Sequence, residues 1–237
     1  MTQCKDTQAI LHISGGVYTI PDASRILNLP RPRVQRWVSG YTHVFPDGLK
    51  QHKSGIVDYG VWGEGKMRGL NFLALIEVYV FAALRGIGVS SQGIKAAREE
   101  LIQCFKTNYP LASHKLLSDG KKILVNLESP NDPILMILGE QGQTALRPII
   151  EPFCKKIDFC TETSLAMRYW PLGKSRAVVV DPRQNFGRPS IVGTNISTET
   201  IAQYVRAGEK IENVSSEFEL SPAAIKDAID YETTMVA

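Results

Sequence analysis

Residues 16–41 read GVYTIPDASRILNLPRPRVQRWVSGY, and this stretch predicts two short helices joined by a tight turn. Pro21 suits the first turn of a helix, where its missing N–H would have no helical partner. Asn28-Leu29-Pro30 then ends the helix, because asparagine tolerates turn geometry and proline disfavours helix in the residue before it. Between these points, apolar residues recur at i, i+3 and i+4, which is one face of a helix: Ala23, Ile26 and Leu27.

The second helix of this stretch repeats the same spacing with Val34, Trp37 and Val38, and Gly40 ends it. With the apolar residues turned inward, the free face carries Arg31, Arg33, Gln35, Arg36 and Ser39. Arginine can bond guanine O6 and N7, and glutamine can bond adenine N6 and N7, in a bidentate manner. The pattern is typical of a helix-turn-helix whose second helix reads the major groove of double-stranded operator DNA. The alternative is a solvated face on a small helical domain.

A glycine-rich stretch follows Tyr41 and contains two short β-like runs, at residues 55–62 and 66–70. These runs predict a β-hairpin wing beside the two helices. Basic side chains in and near the wing could contact DNA phosphates, which would position the protein without specifying sequence. The candidates are Lys50, His52, Lys53, Lys66 and Arg68.

Two longer helices are predicted after the wing. Residues 71–85 are long and apolar, which indicates a buried helix that Gly86 ends. Ser90 or Ser91 can cap a second helix at about residues 92–105. Its apolar face consists of Ile94, Ala97, Leu101, Ile102 and Phe105. These elements together define a first domain at residues 13–108.

Two strings in this domain resemble the MerR family of transcription regulators. YTIPDASRILNLPRPRVQRW resembles the winged helix-turn-helix of that family, and LIEVYVFAALRGIGVSSQGIKAA resembles the helix pair that follows its wing. The resemblance covers about residues 17–105 and implies DNA binding as a homodimer. The chain lacks the long C-terminal dimerisation helix and the effector-binding cysteine cluster typical of the family. Metal or redox sensing therefore does not carry over, and we expect no metal and no cofactor.

The middle of the chain, residues 109–175, predicts a small α+β unit. Asp119-Gly120 between residues 115–118 and 121–127 is a strong hairpin signal, because both turn residues tolerate positive φ. Strands are predicted at 134–138, 157–160 and 164–170, and a helix at 144–156. We find no nucleophile, base and orienting group in a catalytic pattern, and His114 is expected on the surface. The expected role is scaffolding, dimerisation or partner docking.

The C-terminal domain, residues 176–237, predicts a strand at 178–180 and a three-helix bundle resembling a helix-turn-helix. Thr198 is expected to cap the first helix, residues 211–218 form the second, and Ser221-Pro222 starts the third. From residue 197 onward there are three Lys/Arg and eight Asp/Glu, and the third helix is expected to expose Lys226, Asp227 and Asp230. Such an acidic surface repels DNA phosphates, so we expect it to dimerise or to meet a basic partner. The alternative is a solvated acidic tail domain.

The string DPRQNFGRPSIVGTNI, at residues 181–196, resembles a small prokaryotic domain found in antitoxin-like proteins. Joined to a MerR-like first domain, the order resembles the VapB-type antitoxins that pair with PIN-domain ribonucleases. This resemblance implies neutralisation of a PIN-like toxin and repression of the chain's own operon. One departure is Asn195, which stands where the family motif has arginine, so a contact made by that arginine is in doubt.

Composition fits a cytoplasmic α+β protein that is mainly α. Hydrophobic residues make up 43% of the 237 residues and the net charge is +3, but residues 1–70 alone hold nine Lys/Arg and five Asp/Glu. The four cysteines form no CxxC pair, no signal pattern precedes the first domain, and the apolar run at residues 72–84 is too short to span a membrane. The leading hypothesis is a DNA-binding antitoxin, and the alternative is a stand-alone regulator whose middle domain senses a ligand. A third hypothesis, an enzyme, has no metal cluster, phosphate loop or nucleophile arrangement to support it.

Overall fold

A computed structural model describes residues 16–57, 59–63, 68–118 and 151–234, and in these ranges helix and sheet are mixed. The N-terminal part contains β1 (Tyr18–Thr19), α1 (Ile20–Leu27), α2 (Arg31–Ser39), β2 (Tyr41–Val44), β3 (Lys50–Lys53), β4 (Val61–Trp62), β5 (Gly69–Leu70), α3 (Phe72–Gly86) and α4 (Ser91–Phe105). The remainder contains a 3-10 turn (Pro110–Ala112), α5 (Lys115–Ser118), β6 (Ile157–Phe159), β7 (Ala166–Tyr169), β8 (Val178–Val179), β9 (Ser190–Ile191), α6 (Thr198–Arg206), α7 (Ile211–Phe218) and α8 (Pro222–Thr234).

Local signals start and stop α1 as the sequence predicts. The Asp22 N–H donates to Thr19 Oγ1 at 3.3 Å, and the Thr19 N–H donates to Asp22 Oδ2 at 2.9 Å, so the two residues form a capping box. Asn28 ends the helix in the left-handed region, with φ of 51°. The predicted inward face is confirmed, since the buried residues of α1 are Ile20, Ala23, Ile26 and Leu27.

The strands of the first domain differ from the prediction in extent and in number. The predicted runs at 55–62 and 66–70 form strands only as β4 and β5, and β5 also pairs with β1, opposite Tyr18 and Thr19. A second antiparallel hairpin, β2 with β3, was not predicted. Residues 41–53, here called the 41–53 hairpin, are exposed throughout and therefore lack the apolar alternation by which half-buried strands are identified.

The core of the N-terminal part is built around α3, which is buried along most of its length as predicted. Glu77 lies in the middle of this apolar helix and is fully buried. Its Oε2 accepts from Arg98 Nε of α4 at 3.0 Å, and its Oε1 accepts from the Leu111 N–H at 3.0 Å. Arg98 Nη2 also donates to the Asn108 carbonyl at 2.9 Å. A buried, hydrogen-bonded ion pair thus joins α3, α4 and the 3-10 turn.

The described part of the middle unit packs onto this same core. Tyr169 of β7 lies 4.9 Å from the Tyr79 ring of α3, and Ile157 and Ala166 are buried in the same cluster. The predicted hairpin is wrong in its first arm, because Lys115–Ser118 is a short helix that continues from the 3-10 turn and buries Leu116. The second arm at 121–127, the strand at 134–138 and most of the helix at 144–156 lie outside the described residues.

The C-terminal bundle of α6, α7 and α8 has its own core, as its apolar spacing predicts. That core consists of Ile191, Ile201, Val214, Leu220, Ala224, Ile225 and Ala228. Ser197 caps α6, one residue before the predicted Thr198. Lys226 and Asp230 are exposed as expected, but Asp227 is half-buried, because it accepts from the Ala177 N–H at 2.7 Å and pairs with Arg176.

The remaining sequence expectations concern membranes and thiols. Within the described ranges, no helix combines the length and the apolar content needed to cross a membrane. Cys104 is an exposed free thiol, whereas Cys154 and Cys160 are buried free thiols. Burial raises the pKa of Cys154 to about 12, which makes this thiol unreactive at neutral pH.

Candidate nucleic-acid interface

Helix α2 turns its apolar residues into the core and its arginines toward solvent. Val34 and Val38 are fully buried, and the half-buried Trp37 packs edge-on against Phe81 of α3 with ring centroids 5.1 Å apart. These contacts fix the rotation of α2 about its own axis. The free face that results exposes Arg31, Arg33 and Arg36, three of the five predicted base-reading residues.

The other two predicted residues on α2 interact with each other. Gln35 Nε2 donates to Ser39 Oγ at 2.7 Å, and both side chains are half-buried. The Gln35 amide would have to rotate away from Ser39 before it could pair with an adenine edge. The arginines of α2 are therefore better placed than Gln35 and Ser39 to contact DNA.

Two glycines set the 41–53 hairpin directly beside the end of α2. Gly40 has a φ of 74°, and a Cβ there would lie 2.2 Å from the Lys53 carbonyl oxygen. Gly55 lies equally close to the helix end, since its Cβ would be 2.6 Å from the Val38 carbonyl oxygen. The Ile56 N–H then donates to the Trp37 carbonyl at 2.7 Å. The hairpin thus leaves and rejoins the domain at one point, next to the arginine face.

An aromatic ladder on this hairpin was missed by the sequence analysis. The Arg36 guanidinium of α2 lies 5.1 Å from the centre of the Tyr41 ring, and Lys53 Nζ lies 5.9 Å from it. Further along the same strand, His43 packs edge-on against Phe45 at 4.6 Å. The signal was present as an aromatic residue at every second position from 41 to 45, which is the strand period. Cations and rings on one ribbon provide charge and stacking surface together.

The structure separates the predicted phosphate-contacting residues. Lys53 pairs opposite Tyr41, whereas Lys50 pairs opposite Val44, which places the two lysines on opposite faces of the hairpin. His52 Nδ1 is 3.4 Å from Thr42 Oγ1. Arg68 is half-buried just before β5, and Lys66 lies outside the described residues. Of this group, Lys53 alone is shown next to Arg36.

Replacing Gly55 with Ala should weaken both folding and DNA binding. The added Cβ would meet the Val38 and Trp37 carbonyl oxygens at 2.6 and 2.8 Å, so backbone must move. We expect a loss of about 1–3 kcal/mol in the free energy of unfolding, typical of overpacked sites. Gly86→Ala is the matched control, because nothing lies within 4 Å of its Cβ. Urea titrations of both variants measure the effect, and equal stabilities would contradict the close approach.

Comparison with family models first defines the class of the N-terminal part. Residues 16–98 match a model described as "Putative DNA-binding HTH domain". Residues 178–231 match a second model, described as "Protein of unknown function (DUF433)". The first match contains α1, α2 and the 41–53 hairpin, and the second contains the C-terminal bundle.

Individual relatives extend the similarity over nearly the whole chain. The chain is 27% identical over 233 residues to "Putative antitoxin VapB45" of Mycobacterium tuberculosis, covering 95% of this chain and 97% of that protein. It is also 27% identical to "Uncharacterized protein Rv2308" of the same organism, over 91% of this chain and 89% of that one. The crystal structure of Rv2018 from M. tuberculosis superposes with a TM-score of 0.69 at 27% identity, covering 90% and 96% of the two chains.

Proposed function

We propose that the chain is a DNA-binding antitoxin of a type II toxin–antitoxin pair, which binds a PIN-like ribonuclease toxin and represses its own operon as a homodimer, without catalytic activity of its own. In this proposal α1, α2 and the 41–53 hairpin act as a winged helix-turn-helix, and the other domains at 109–175 and 176–237 serve assembly and toxin binding. The observation that carries the DNA-binding part is the exposed arginine face of α2 beside the Tyr41 ladder.

The geometry gives α2 and the hairpin separate tasks on DNA. Arg33 and Arg36 are solvent-exposed on a helix of nine residues, which suits base edges in the major groove. Lys53 and Tyr41 would follow the adjacent phosphates, since the hairpin starts where the helix ends. The VapB45 similarity and the acidic charge of the bundle support a protein partner at the other end of the chain.

Co-purification is the experiment that tests this proposal. The tagged chain is expressed together with the reading frame adjacent to its gene, and we expect a small partner to elute at fixed stoichiometry. That partner should be toxic alone, harmless in the complex, and a ribonuclease when isolated. The complex should also shift DNA from its own promoter. An eluate without a partner, or a partner with no toxicity, would overturn the antitoxin assignment.

A second candidate function, a stand-alone regulator that senses a small ligand, is favoured by a cleft in the middle unit. The cleft has a volume of about 720 Å³, and its lining includes His114, Lys155 and Asp158. Burial alone would raise the pKa of Asp158, but hydrogen bonds from Lys174 and Trp170 outweigh it and hold the pKa below its ordinary value. A chain that shifts its promoter DNA and elutes alone would favour this function.

A further inference from the structure

One aromatic ring stands out from the loop that links β8 to β9. Phe186 is 86% exposed, and the backbone around it lies in the left-handed region, with φ of 46° at Asn185, 56° at Phe186 and 78° at Gly187. That region is unfavourable for a bulky side chain. Such outliers persist only where surrounding contacts impose them, and they cluster at functional sites. The exposed position of the Phe186 ring is thus a built feature of this loop.

Buried contacts hold the loop at both ends. Arg183 Nε and Nη2 donate to the two oxygens of the buried Asp181 carboxylate, at 2.9 and 2.7 Å. The Tyr18 hydroxyl donates to the Gly187 carbonyl at 3.0 Å, and a Cβ at Gly187 would lie 2.2 Å from that hydroxyl. Because the loop is fixed before binding, a partner that packs on Phe186 would lose little affinity to ordering it.

Phe186 also lines a cavity of about 880 Å³ between α1 and the C-terminal bundle, here called the α1 cavity. Across its base, Arg25 of α1 pairs with the buried Glu232 of α8, whose other oxygen accepts from Thr198 Oγ1 at 2.5 Å. The apolar Val17, which is 63% exposed, lines the cavity with Phe186. Three cations and three anions balance on its walls: Arg25, Arg183, Arg188, Asp22, Glu199 and Glu232.

Three donors on the cavity wall lack an acceptor among the described residues: the Tyr231 hydroxyl, Arg25 Nε and Asn185 Nδ2. Tyr231 is fully buried, and burial raises the pKa of its hydroxyl above the ordinary value, so the proton stays on. Buried donors are almost always paired in folded proteins. An occupant of the α1 cavity should therefore present acceptor oxygens.

The balance of charge decides which acceptors fit. Phosphate or another polyanion would face Asp22 and Glu199 as well as the arginines, and it would gain little from the apolar Phe186 and Val17. An extended peptide offers neutral carbonyl acceptors, N–H donors for the carboxylates, and side chains for the aromatic ring. The chemistry of the wall thus fits a polypeptide segment.

We propose that the α1 cavity and Phe186 form the docking surface for the partner toxin, with an apolar side chain of an extended toxin segment against the Phe186 ring and its carbonyls toward Tyr231, Arg25 and Asn185. The inference rests on the proposed function, since it names the surface through which that toxin is bound. Rigid aromatic anchors of this kind dominate the affinity of protein interfaces.

The test measures the dissociation constant between the full chain and the toxin from the adjacent reading frame, by calorimetry. Phe186→Gly removes the ring and suits the positive φ, so the variant should fold normally. We expect its toxin affinity to fall by about 30-fold or more, as for an interface hot spot. Tyr231→Phe removes one hydroxyl from the wall, and we expect a loss of about 3- to 10-fold, typical of a single hydrogen bond. Tyr59→Ala, at an exposed aromatic residue outside the cavity, should bind like the natural chain.

The outcomes separate this inference from the proposed function. A toxin that binds the natural chain and the Phe186→Gly variant equally would overturn the docking surface and leave the antitoxin assignment standing. A toxin that does not bind the natural chain would overturn both. Sedimentation of the chain alone adds a third outcome: a homodimer that dissociates in Phe186→Gly while toxin affinity is kept would make the surface a contact between two copies. Unchanged promoter affinity of the variant shows that its first domain is intact.

Discussion

Replacing Arg98 with Ala should lower the free energy of unfolding by about 3–5 kcal/mol, the usual cost of breaking a buried ion pair on one side. Glu77 is fully buried in α3, and two of its contacts come from the Arg98 guanidinium, at 3.0 and 2.9 Å. Without Arg98, the Glu77 carboxylate would keep the Leu111 N–H but lose its counter-charge in an apolar surrounding. The Asn108 carbonyl would lose its donor as well.

Urea unfolding of the full chain measures this loss. The matched control is Lys155→Ala, because Lys155 pairs with Glu151 at 3.5 Å on the surface, with 72% and 42% of the two side chains exposed. We expect less than about 0.5 kcal/mol there, as for exposed helix pairs. A double replacement, Glu77→Leu with Arg98→Met, should recover most of the stability, since apolar groups of similar size tolerate burial. A single-variant loss below about 1 kcal/mol would show that the pair is hydrated in solution.

This ion pair also shows where sequence reasoning ends. The carboxylate of Glu77 in an apolar run was visible in the sequence, where it argued against a membrane span. Its partner is 21 positions away on another helix, and no local pattern specifies which of the arginines in the chain will meet it. Pairing across space follows from how α3 packs against α4, and periodicity carries no information about that packing.

Helices were predicted well because their signals are local. Capping at Thr19 and Ser90 and the i, i+3, i+4 spacing on α1, α2, α4 and α8 each lie within one or two turns of chain. The 41–53 hairpin was missed, and Lys115–Ser118 was assigned to a strand, because an exposed ribbon has no apolar face and Asp119-Gly120 says nothing about what precedes it. Short elements depend on tertiary contacts, such as the burial of Leu116, more than on propensity.

The candidate DNA interface was predicted in composition but not in geometry. The exposure of Arg31, Arg33 and Arg36 follows from the burial of Val34 and Val38, which the spacing predicted. The Gln35–Ser39 hydrogen bond and the stacking of Arg36 on Tyr41 did not follow, because both depend on side-chain conformations and on the backbone path through Gly40.

Replacing Arg33 and Arg36 together with Ala should reduce affinity for the operator by about 30-fold or more. Each bidentate contact with a base contributes about 1–3 kcal/mol of discrimination, and each 1.4 kcal/mol is a factor of ten. Both side chains are exposed on α2, and Arg36 also lies on the Tyr41 ring, so this variant removes a base contact and the link to the hairpin together. Arg206→Ala, at an exposed arginine of the acidic bundle, is the matched control and should bind DNA normally.

Comparing charge-conserving and charge-removing variants separates base reading from phosphate contact. Arg33→Lys keeps the charge but loses the planar fork, so it should weaken the operator and leave random DNA unchanged. Lys53→Ala should weaken all sequences alike and reduce the slope of log K against log salt by about 1, since one phosphate contact is lost. Mobility shifts over a range of salt concentrations, with operator and scrambled duplexes, measure both. If Arg33→Lys binds the operator as well as the natural chain does, the guanidinium reads no base, and α2 contacts the DNA backbone only.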